Sequence, residues 1–158
     1  MFQDFTKTIQ LIASPAAVWD TMLDVRRVAS WLSIVRDVRD IDAPRRYSAH
    51  LEDRLGPFAM RADLDVTVET QDGRAMQVAA AGEDRQIASR ISATIDLGLE
   101  PRGEGTVVTV IGHYEITGRI ATLGSGAIRK KGDKILEEFF SNLERELGAG
   151  DSTRSAHV

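Results

Sequence analysis

From Phe58 to Glu69 the chain alternates without a break. Phe58, Met60, Ala62, Leu64, Val66 and Val68 fall on one side, and Arg61, Asp63, Asp65, Thr67 and Glu69 on the other. A side-chain period of two with one apolar and one polar face marks a half-buried antiparallel strand. The pattern recurs downstream. Arg74 to Gly82 is the partner strand across an Asp72-Gly73 hairpin signal, with Met76, Val78 and Ala80 on one face. Past a turn at Gly82-Glu83-Asp84, Ile87, Ser89, Ile91, Ala93, Ile95 and Leu97 alternate with Gln86, Arg90, Ser92, Thr94 and Asp96. After Pro101-Arg102-Gly103-Glu104-Gly105, Thr106 to Ile116 reads as the last strand, with Val108, Val110, Tyr114 and Ile116 on one parity. Gly112 and Gly118 share that parity, and small residues there permit close approach of another element. Upstream, Phe5 to Ile12, Ile34 to Ile41 and Tyr47 to Leu51 read as further strands. A sheet of that size cannot leave its apolar face in water, so another element must cover it.

One segment is long enough to do so. Ile128, Gly132, Ile135, Leu136, Phe139, Phe140, Leu143 and Leu147 follow helical spacing, and charged residues fill the intervening positions. A helix from Leu123 to Leu147 would be about 37 Å long at ~1.5 Å per residue. Ser14-Pro15 is an N-cap followed by a first-turn proline, which starts a helix running to Leu23. Val25, Val28, Ala29 and Leu32 give a second short helix. The expected fold class is α+β, a helix-grip: a curved antiparallel β-sheet wrapped around a long C-terminal α-helix, with two short helices after the first strand. The domain is expected to span residues 1–147, and residues 148–158, rich in Gly and Ser, to form a flexible tail. A grip of this kind can enclose an apolar cavity, a usual form for a small-molecule site.

Composition narrows the chemistry. The 158 residues contain no cysteine, which excludes disulfides, thiolate catalysis and iron–sulfur ligation. The three histidines, His50, His113 and His157, cannot build a histidine cage, so neither a metal nor another cofactor is expected. Twenty basic against twenty-four acidic residues give a net charge of −4, unlike the basic character of nucleic-acid binders. Met1-Phe2-Gln3-Asp4 has no basic lead-in to an apolar run, and no apolar stretch approaches the ~18 residues that span a bilayer. A cytoplasmic location is expected.

Ala13-Ser14-Pro15-Ala16-Ala17-Val18-Trp19, placed after the first strand and within this order of elements, resembles the START/Bet v 1-like (SRPBCC) superfamily. More narrowly the chain resembles the carbon monoxide dehydrogenase CoxG family. The segments that carry this are Leu55-Gly56-Pro57-Phe58, Gly103-Glu104-Gly105-Thr106-Val107-Val108, Gly118-Arg119-Ile120-Ala121-Thr122-Leu123-Gly124 and Glu138-Phe139-Phe140. The resemblance covers residues 2–147. Where family members commonly carry a Pro-Gly turn after the second helix, this chain has Ser30-Trp31-Leu32-Ser33-Ile34. The resemblance implies a lipid or quinone ligand and service to a molybdenum hydroxylase of the carbon monoxide dehydrogenase type, hence an oxidoreductase partner. Two alternatives share the fold: an enzyme of the aromatase/cyclase kind, and a maturation or membrane-recruitment factor acting through its surface.

The strands of clear parity turn their Asp and Glu outward, leaving mainly Ser89, Thr106 and Tyr114 as inward polar groups. A general acid–base pair needs two ionisable groups in one pocket, so a non-enzymatic binding protein is expected. Candidate ligand contacts are Trp31, Met60, Leu64, Met76, Ser89, Ile91, Val110, Tyr114, Ile128, Leu136, Phe139 and Phe140. For most of them ordinary core packing is the competing reading; for Tyr114 it is a core tyrosine with a satisfied hydroxyl. His113 should face solvent, and the parity of His50 stays open. Arg129, Lys130, Lys131 and Lys134 are either a solvated helix face or a contact with anionic lipid head groups, at about 1 kcal/mol per basic residue.

Overall fold

A computed structural model describes residues 2–150. The elements run β1 (Phe2–Leu11), α1 (Pro15–Leu23), α2 (Val25–Ala29), β2 (Val35–Asp42), β3 (Arg46–Leu55), β4 (Phe58–Gln71), β5 (Ala75–Asp84), β6 (Ser89–Arg102), β7 (Gly105–Gly118), a 3-10 turn (Arg119–Leu123) and α3 (Ser125–Leu147). The seven strands form one antiparallel sheet in the order β1-β7-β6-β5-β4-β3-β2, so only β1 leaves its sequence neighbour to pair with the last strand. The Ser14 hydroxyl accepts from the Ala17 amide at 3.2 Å and starts α1, with Pro15 at the first helical position. Asp24 ends α1 and caps α2, its carboxylate accepting from the Arg27 amide at 3.3 Å.

The alternating residues of β4 to β7 turn inward as their period requires, and α3 covers them. The cover is uneven. Near its start α3 presses Ile128, 2% exposed, into a cluster with Leu51, Leu55, Met60, Ala62, Ile116 and Ile120. Near its end Leu143, fully buried, packs in a second cluster with Val18, Leu11, Leu99 and Val108. Between them Ile135, Leu136 and Phe139 are only half-buried, as are Leu64, Val66, Val78 and Ile95 in the middle of the sheet. A solid core buries its centre best. Here the two ends are packed and the centre stands apart.

Two expectations need correction. Residues 148–150 do not fray: the Ile12 amide donates to the Gly148 carbonyl at 3.0 Å, and the Gly150 amide to the Gln10 carbonyl at 2.7 Å. These backbone bonds lay the end of the chain along the open side of β1, where Ala149 bridges Leu11. Residues 151–158, the rest of the expected tail, lie outside the described residues, as does His157. Asp84 is not on an outward face but 5% exposed. Its carboxylate accepts from the Arg61 amide at 2.8 Å and the Gln86 amide at 3.0 Å, closing the sheet where β5 stops pairing with β4.

Candidate functional site

Where α3 stands off the sheet there is a cavity of about 290 Å³. Its floor comes from β3 to β7 through Tyr47, Ala49, Leu64, Val66, Val68, Met76, Val78, Ala80, Ile95, Leu97 and Val110. Its roof is Ile135, Leu136, Phe139 and Phe140 of α3. Met22 of α1 and Val25, Val28 and Ala29 of α2, with Leu32, Val35 and Val38 beyond them, close one side, and Phe5 of β1 the other. All of these side chains are apolar except Tyr47. Burial, and then the neighbouring Asp40 carboxylate, push the Tyr47 phenol above its usual range, so it stays neutral. Such a wall takes up hydrocarbon and offers an ionic group no counter-charge.

Of the residues expected from sequence, Leu64, Met76, Val110, Leu136, Phe139 and Phe140 line this space. Met60, Ile91, Tyr114 and Ile128 lie instead in the packed cluster at the start of α3. The Tyr114 hydroxyl donates a long 3.5 Å bond to the Ile128 carbonyl, and its burial raises the phenol's pKa. It is a core tyrosine. Ser89 is structural as well, donating to the Ile87 carbonyl and accepting from the Ile120 amide, each at 3.0 Å. Trp31 sits behind the wall, its ring tilted against Phe139 at 5.7 Å and its indole N–H donating to Glu146 at 3.3 Å.

That Glu146 contact is one of several that hold α2 over the cavity. Arg27 Nε donates to Glu146 at 2.6 Å. Arg26 reaches the other way, to the Val38 carbonyl at 2.6 Å and the Asp40 carboxylate at 3.1 Å. Asn142 donates to the Trp31 carbonyl at 3.0 Å, and Glu138 accepts from the Ser33 amide at 2.8 Å. Sequence reasoning missed this wall because α2 has five residues, too few to show which face is apolar. It also missed Tyr47 and Lys7. Lys7 had a readable signal: it shares the inward parity of Gln3, Phe5, Ile9 and Leu11, an odd place for an ammonium.

The basic run on α3 is divided. Arg129 donates to Gln3 Oε1 at 3.1 Å and Lys131 pairs with Asp53 at 3.1 Å, while Lys130 and Lys134 stay exposed. His50 lies on the outer face of the sheet, with Nδ1 2.9 Å from Asp63 and Nε2 3.1 Å from Glu52. His113 is exposed and stacks on Phe2 at 5.4 Å. No helix among the described residues is long and apolar enough to cross a membrane.

Residues 8–148 match the carbon monoxide dehydrogenase CoxG family. None of the curated proteins matches the chain. A conserved protein from Geobacillus kaustophilus superposes with a TM-score of 0.80 at 18% identity, over 91% of this chain and 94% of that one. A START superfamily protein from Mycobacterium smegmatis gives 0.65 at 14% identity, over 91% and 96%. Ara h 8.0201 gives 0.61 at 10% identity, over 90% and 98%. The shared architecture is the START/Bet v 1-like fold, a ligand-binding fold.

Proposed function

The chain belongs to the carbon monoxide dehydrogenase CoxG family, and we propose that it is a non-enzymatic carrier for an apolar small molecule, a lipid or quinone, that serves a carbon monoxide dehydrogenase-type molybdenum hydroxylase. One observation carries the reading: the roughly 290 Å³ cavity between sheet and helix, walled by apolar side chains and a single neutral phenol. At ~30 Å³ for each water-sized volume, the space takes about ten heavy atoms. That is a ring or a short hydrocarbon segment, with the rest of a longer molecule left outside. The fully apolar wall supports carriage over turnover, since acid–base chemistry needs positioned ionisable groups at the substrate.

Native mass spectrometry of freshly purified protein, followed by titration with a short-chain quinone, tests this. Co-purified lipid or saturable quinone binding is the expected result. Absence of both would overturn the carrier reading. A chain that converts its ligand would instead show product in the same spectra.

A further inference from the structure

A second void lies beside the first. α3 runs along β1 and is tied to it at both ends. At one end Gln3 donates to the Ser125 carbonyl at 3.5 Å and accepts from Arg129 at 3.1 Å. At the other, the backbone beyond α3 bonds to Gln10 and Ile12. Between these ties the two elements part, leaving a slot of about 470 Å³. Phe5, Leu136 and Phe140 line both the slot and the cavity, so three apolar side chains form the partition. Phe5 lies over Gly112, where a β-carbon would collide with its ring.

The outer rim of the slot is polar. Lys7 leaves the inner face of β1 through it, its ammonium 5.8 Å from the centre of the Phe140 ring. Gln10 accepts from Gly150 and Ile12 donates to Gly148, so alternate residues of β1 aim their backbone groups at this open edge. Thr6, on that parity, offers an N–H and a C=O to the slot, and Ser141 adds a hydroxyl. Against the one cation stand three carboxylates, Asp133, Glu137 and Glu144.

We propose that this slot is the head-group subsite of the cavity, and that it selects a neutral hydrogen-bonding head over an anionic one. The inference rests on the carrier reading above and adds the chemical class of the ligand. The hydrocarbon part lies beyond Phe5, Leu136 and Phe140. A carbonyl or hydroxyl of the head accepts from Lys7 or bonds to the Thr6 backbone. A carboxylate or phosphate head would meet a net negative rim and is turned away by like charge.

The neutral dye N-phenyl-1-naphthylamine tests the cavity, and decan-1-ol and decanoate at pH 8 then compete for it. Decanol should displace the dye at least about tenfold more tightly than decanoate, roughly one decade of Kd. Neutralising the rim with D133N, E137Q and E144Q together should bring the two to within about threefold, and K7A should weaken decanol severalfold. Equal affinities in the unaltered protein would overturn the proposal, as would a gap that the triple variant leaves unchanged. If the dye does not bind at all, the carrier reading itself has failed, and that is read before any competitor is added. All four altered residues border the slot, and circular dichroism confirms that the variants fold.

Discussion

The hydroxyl of Tyr114 occupies the space that a β-carbon would need at Gly132. This contact sets how closely the first half of α3 can lie on β7. Gly132→Ala should improve helix propensity by about 1 kcal/mol, but overpacking a filled site costs about 1–3 kcal/mol. The collision should win, with net destabilisation in urea melts. The double variant Gly132→Ala/Tyr114→Leu should be more stable than the sum of its parts. A neutral or stabilising Gly132→Ala would mean that α3 is free to move outward there.

Ala80 stands on the cavity floor. Ala80→Leu adds three carbons to empty space rather than to a packed core. The melt should shift by no more than about 1–2 kcal/mol, in either direction. Uptake of N-phenyl-1-naphthylamine should nevertheless be lost. Binding that survives this change would place the dye elsewhere.

Glu146 holds both Arg27 and the Trp31 indole, and so fastens α2 to the end of α3. The pair is partly exposed, so Glu146→Ala should cost only about 1 kcal/mol of global stability. The local effect is larger: dye dissociation measured by stopped flow should speed up severalfold, with a red shift in tryptophan emission. An unchanged dissociation rate would show that α2 does not gate the cavity.

His50 titrates between two carboxylates. Hydrogen bonding to Asp63, then to Glu52, raises its pKa above the ordinary 6.5. A histidine whose folded pKa is raised adds stability that is complete below the unfolded value and fades as pH rises through the folded one. The stability difference between the native chain and His50→Gln should therefore shrink from pH 6 toward alkaline pH. Proton NMR of the imidazole should show a midpoint above 6.5. A midpoint at or below the ordinary value would remove the basis for this pH dependence.

Strand parity made most of the fold legible, because a period of two is sensitive to which face is wet. Phe58 to Glu69 was readable for that reason, and so was the amphipathic span that became α3. Parity could not say where along the sheet the helix stands off. Met60 and Leu64 share a face four residues apart, yet one packs against Ile128 while the other borders the cavity. That difference depends on contacts such as Gly132 with Tyr114, which join distant parts of the chain. Asp84 defeated the reading in another way: a carboxylate at a turn looks solvated until the amides it accepts from are in place.

The pairing of β1 with β7 also dictates an order of events during synthesis. Phe2 lies opposite Glu115 and Leu11 opposite Thr106, so the first strand made waits for one roughly a hundred residues later. On a ribosome adding ~5–20 residues per second, that wait lasts about 5–20 s. Meanwhile β2 to β6 can form as a local meander. The sheet therefore grows from its middle, and the walls supplied by β1 and α3 arrive last. The container is finished only when the chain is nearly complete, so nascent chains halted before β7 should show protected amides in β3 to β5 but none in β1.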